Sequence, residues 1–103
     1  MQLDKLNRRE VEQLFSAILK LNTIEECYRF FDDLCTVGEI KSMAQRLEVA
    51  RMLMDGSTYN QIESETGAST ATISRVKRCL HYGTDGYKLV LERLGHDNGD
   101  SAS

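Results

Sequence analysis

Residues 58 to 80 read TYNQIESET, then GAS, then TATISRVKRCL: a short helical stretch, a glycine turn and a second helical stretch. Few arrangements satisfy such a segment. Two helices joined by three residues must pack across one another, and the turn between them needs a backbone conformation that glycine adopts without steric cost. Gly67 stands at that point, and Thr58 and Ser69 stand where each helix needs a capping hydroxyl. Ile62, Ala68, Ile73 and Val76 are spaced to pack the two helices together. The segment is therefore predicted to be a helix-turn-helix over about 58–80.

The rest of the chain reads as further helices. Proline is absent from all 103 residues, so glycine and capping side chains must do the punctuation. Leu3, Leu6, Val11, Leu14, Phe15, Ile18 and Leu21 trace one apolar face and predict a first helix from Leu3 to Leu21. Thr23 and Glu26 have capping-box spacing, and Ile24, Cys27, Tyr28, Phe31, Leu34 and Cys35 form the stripe of a second helix. The box recurs at Thr36 and Glu39 and starts a third helix near Val37, which Gly56 closes.

That third helix carries Ile40, Met43, Ala44, Leu47, Ala50, Leu53 and Met54 on one stripe, with Val49 and Met52 off it. It is apolar around most of its circumference by its end, more than a single small domain can cover, so a second subunit is expected. Gly83 and Gly86 punctuate the turn before a last short helix, Tyr87 to Leu94. Residues 95–103, GHDNGDSAS, cannot bury apolar surface and are expected to form a disordered tail. The expectation is an all-α fold of six helices in one domain, 1–94, followed by the tail.

Several function classes fall away. No apolar run approaches the roughly 20 residues of a membrane span. Cys27, Cys35 and Cys79 are odd in number, and with no signal peptide they point to a reducing cytoplasm. Cys27 and Cys35 are small core hydrophobes by their spacing; C-x7-C matches no zinc signature, and His81 and His96 do not repair it. No nucleophile motif, phosphate-cradling loop or metal cluster suggests an enzyme, and no cofactor is expected.

A nucleic-acid partner fits better. The net charge is −3, yet no Asp or Glu occurs from Thr66 to Thr84, while Arg75, Lys77 and Arg78 do. Binding depends on the local patch, and this one has the sign that phosphates require. Ser69, Thr70, Ala71, Thr72 and Arg75 lie at the start of the second helix, where small side chains let a backbone approach base edges. Asn60, Gln61 and Ala68 complete the candidate DNA contacts, with Lys77 and Arg78 as phosphate contacts or solvated charge. Asn60 and Gln61 either touch the duplex backbone or cover the fourth helix, Ala68 also has the packing role, and Tyr59 reads as packing. Glu63, four residues before Gly67, breaks the pattern, since a small residue usually lets the helices approach there. Either its stem snorkels outward or the helices cross differently. The alternative is a helical dimeric protein-interaction module with only nonspecific DNA affinity.

The run from Cys35 to Leu80, and GASTATISR within it, resembles the Trp repressor. The fuller run, from ECYRFFDDLCT through MAQRLEVARML and GASTATISR to YGTDGY, is similar to the YerC/YecD-type Trp-repressor-related family over roughly residues 10 to 91. The resemblance implies an intertwined homodimer with one reading head on each side, binding double-stranded DNA at a palindromic operator. It implies a ligand pocket at Thr36, Arg46, Arg75 and Cys79. Arg46 also has a plain alternative, an ion pair with another helix. Two departures argue against tryptophan as effector: Val76 stands where the family has a glycine that leaves room for the indole, and Cys79 replaces a hydrogen-bonding serine. The Trp repressor also carries a long charged residue at the Glu63 position. The effector's identity stays open.

Overall fold

The computed structural model describes the backbone of residues 1–102 and the side chains of residues 1–95. Among the described residues the fold is all-helical. A 3-10 turn, Gln2–Lys5, precedes α1 (Arg8–Ile18), α2 (Ile24–Leu34), α3 (Val37–Met54), α4 (Tyr59–Thr66), α5 (Thr70–Tyr82) and α6 (Gly86–Ala102).

The expected first helix is in fact broken. Leu6 is extended, and Asn7 caps α1 by accepting the Glu10 N–H at 3.2 Å. An Asn-x-x-Glu cap was legible there, but Leu3, Leu6 and Val11 keep helical spacing across the break and mask it. The other five helices start within a residue of expectation. α6 runs on to Ala102, past the end expected at Leu94, so the backbone of residues 95–102 is helical where a disordered tail was expected; the side chains from His96 onward lie outside the described residues.

Caps set the helix starts. Thr23 accepts the Glu26 N–H at 3.1 Å, while the Glu26 carboxylate reaches back to the N–H of Asn22 at 2.8 Å, one residue beyond the expected partner. Thr36 and Glu39 make the full reciprocal pair, at 3.1 and 2.9 Å. The Thr36 backbone N–H, and then its hydroxyl, hold the Glu39 carboxyl below its usual value.

The chain divides into two compact units, Met1–Ile40 and Lys41–Ser103. In the first, α1 and α2 are amphipathic but neither buries a side chain. Leu19, Ile24 and Tyr28 are 82%, 78% and 75% exposed. The second unit has a true core: Val49, Ala50 and Met52 from α3, Ile62 from α4, Ala68 from the turn, and Ile73, Val76 and Leu80 from α5. Tyr87 and Leu91 of α6 pack against it. Each fully buried Ile or Val contributes about 1.5–3 kcal/mol.

The buried side of α3 is carried by Val49 and Met52, off the expected stripe, together with Ala50. Met43 and Met54 on the stripe are 40% and 47% exposed, and Leu47 is half-buried. Both sides of the helix are apolar, as its composition predicts, and one of them is still open to solvent.

α5 stops where Gly83 donates to the Cys79 carbonyl at 2.9 Å. A Cβ on Gly83 would lie 2.4 Å from that oxygen, a clash with backbone that cannot turn aside. Gly83→Ala is expected to destabilise the protein by about 1–3 kcal/mol, as overpacking does. Urea unfolding should show a lower midpoint at constant slope; an unchanged midpoint would mean that the α5–α6 turn yields freely.

Candidate nucleic-acid interface

The site is built on α4, the turn and α5. The Thr58 and Gln61 side chains form a reciprocal capping box at the start of α4. At its end Gly67 is left-handed, φ 73°, the conformation for which glycine was expected. Three further bonds pin the turn. The Thr66 hydroxyl donates to the Ile62 carbonyl at 2.7 Å and accepts the Ala68 N–H at 3.1 Å. The Gln45 amide, from α3, donates to the Thr66 carbonyl at 3.0 Å. A turn with its polar groups satisfied in this way holds α5 at a set angle. Sequence reasoning passed over Gln45 and Thr66; only a hydroxyl at the end of a helix hinted at the second.

Ser69 caps α5 by accepting the Thr72 N–H at 3.1 Å, and its hydroxyl also bonds that of Thr72 at 3.1 Å. Ile62, Ala68, Ile73 and Val76 are all buried, so the four packing positions meet in one seam. Of Ala68's two roles it takes the packing one, because its side chain is only 4% exposed. Ser69, Thr70, Ala71, Arg75, Lys77 and Arg78 are exposed, and Thr72 is half-exposed. Ala71, Arg75 and Arg78 lie on the face of α5 opposite the buried Ile73, Val76 and Leu80, and Thr70, Thr72 and Lys77 flank the buried face. Asn60 and Gln61 are exposed on α4, although Gln61 spends its carbonyl oxygen on the Thr58 N–H at 2.8 Å.

Glu63 is half-buried, and its carboxylate accepts the Thr70 hydroxyl at 2.6 Å. Its head is thus turned to the start of α5. The Lys77 ammonium lies 5.6 Å above the Tyr59 ring, and Tyr59 packs on the core. Beside them is a cleft of about 350 Å³ lined by Ser57, Tyr59, Lys77, His81 and Lys88. Lys88 carried no signal in the sequence, and His81 was weighed only as a zinc ligand; the i, i+4 spacing of Lys77 and His81 on one helix face was the available signal.

The pocket candidates are dispersed in role. Thr36 caps α3, Arg46 is half-buried on α3, and Arg75 and Cys79 are exposed on α5. Arg46 makes no ion pair with any described residue. Val76, whose side chain was expected to fill space beside Arg75, is buried in the core. Among the described residues no three His, Cys, Asp or Glu side chains group to hold a metal, and no helix is long and apolar enough to cross a membrane.

The model of the Trp repressor protein family matches residues 9–95, which include the whole helix-turn-helix. The chain belongs to the Trp repressor family. Its relatives in that family are close. It is 64% identical to the uncharacterized protein YerC of Bacillus subtilis (strain 168) over 103 residues, 100% of this chain and 99% of that protein. The crystal structure of a candidate Trp repressor from Staphylococcus aureus is 58% identical, with a TM-score of 0.89 over 91% of this chain and 94% of the other. That of a TrpR-like protein from Eubacterium eligens ATCC 27750 is 59% identical, with a TM-score of 0.86 over 89% and 95%. The Trp-repressor-like all-α fold is thus shown.

Proposed function

We propose that the protein is a sequence-specific DNA-binding transcriptional regulator, a repressor, acting in the cytoplasm as an intertwined homodimer. Each subunit docks α5 in the major groove of a palindromic operator, with half-sites about one helical turn, ~34 Å, apart. The observation that carries this is α5 itself. It has an acid-free cationic surface and small side chains at its exposed start, and it rests on a turn whose polar groups are already satisfied. Thr70, Ala71 and Thr72 face base edges, while Lys77 and Arg78 neutralise phosphates.

Dimerisation is supported by the first unit, whose amphipathic helices leave their apolar side chains no more than half-buried within the chain, and by the exposed apolar side chains of α3. Tryptophan is disfavoured as effector by Val76 and Cys79; an unliganded regulator, or one with another ligand at Arg46 and Arg75, fits these residues better. The second reading, a protein-interaction dimer with nonspecific DNA affinity, draws on exposed apolar side chains such as Tyr82, 86% exposed.

The test is selection of genomic fragments by the purified protein at ~150 mM salt, the physiological range. A shared two-fold symmetric site is expected; recovery of no common sequence favours the interaction module. On the selected site Thr72→Ala should relax preference at one base position by about 1–3 kcal/mol, and Lys77→Ala should weaken binding evenly and reduce the salt slope by about 1. Equal loss on all DNA for both variants would overturn the groove assignment.

A further inference from the structure

The Glu63–Thr70 hydrogen bond is an odd feature for a surface that meets phosphates. It places a carboxylate, the one acid among the described residues in bonding contact with the start of α5, beside the side chains that face the groove. An acid there weakens attraction to any duplex, so its presence calls for a compensating role.

The chemistry of the bond suggests one. A carboxylate only accepts, so the proton between Glu63 and Thr70 comes from the Thr70 hydroxyl. With that proton committed, the exposed Thr70 side chain has lone pairs and a methyl group to offer, and no donor. The second Glu63 oxygen adds another acceptor alongside. Thr72 is set independently, by Ser69 across the helix cap.

Resting on the DNA-reading function above, we propose that Glu63 and Thr70 form a single base-reading unit that accepts hydrogen bonds only, and so selects a base with a major-groove amino group. Adenine offers N6–H and cytosine N4–H; guanine O6 and thymine O4 would meet an acceptor and a negative charge instead. The carboxylate is then a device of specificity. It lowers affinity for every duplex and recovers the loss only where an amino group answers it, which widens the gap between operator and bulk DNA.

Two substitutions test the unit by site selection and competition binding. Thr70→Val removes the hydroxyl and keeps the shape at an exposed position. Glu63→Met removes the acceptor and keeps the stem, which frees the Thr70 hydroxyl to donate. Both are expected to change the same base position and no other. Thr70→Val should lose the preference there, and Glu63→Met should admit guanine or thymine with about a tenfold fall in discrimination. The position read by Thr72 should not move.

If wild-type protein selects a shared site and both variants select it unchanged, or alter different positions, or lose affinity evenly on all sequences, the bond is a staple between α4 and α5 and the inference is overturned. Should Glu63→Met fail to fold by circular dichroism, Thr70→Val decides alone: preference lost at one amino-bearing position supports the unit, and an unchanged site overturns it. A wild-type protein that selects no shared site overturns the operator-reading function itself, and this unit with it.

Discussion

Leu47→Asp is expected to abolish folding and leave no stable monomer. Leu47 lies on the apolar stripe of α3 with Met43 and Met54, and none of these three belongs to the core cluster. α1 and α2 bury no side chain within the chain, and the core of the second unit draws only on α3 to α6. In the proposed homodimer a second copy supplies much of the chain's apolar burial, and in an obligate dimer subunit folding and association are one event. A carboxylate at the centre of that contact is left buried and unpaired, which is among the largest single-residue penalties. Circular dichroism should show no cooperative melt, and sedimentation should find no compact monomer. A folded monomer would refute intertwining.

The second large effect is expected at the seam between the reading helices. Ile73→Ala removes three carbons from a side chain with no solvent exposure, in contact with the core cluster. Such truncations cost about 2–5 kcal/mol, because the cavity only partly collapses. Against a total stability of about 5–15 kcal/mol, that removes a large share. The loss should appear first as faster amide exchange in α4 and α5, and DNA binding should fail at temperatures where wild type still binds. A change under about 1 kcal/mol, below that range, would show that α4 and α5 can repack around the gap.

Much of this could be read in advance because it is local. Thr58, Gly67 and Ser69 act on backbone groups within three or four residues of themselves, so their roles follow from spacing alone. The packing seam was equally legible, since Ile62, Ala68, Ile73 and Val76 leave few other ways to cross two short helices. Period was a poorer guide where a break preserved it, as at Leu6 and Asn7. It also failed to separate the two apolar sides of α3, because an all-round apolar helix has no preferred face until its neighbours are placed.

By itself the sequence determined the helices, their caps, the left-handed turn and the cationic face of α5, all consequences of short-range sterics, hydrogen bonding and charge order. Only the tertiary structure decided that Val49 and Met52 face the core, that Gln45 holds the turn from a distant helix, that Ala68 turns inward and that Glu63 takes the proton of Thr70. Those depend on which surfaces meet after the chain folds back on itself, and no window of neighbouring residues contains both partners of such a contact.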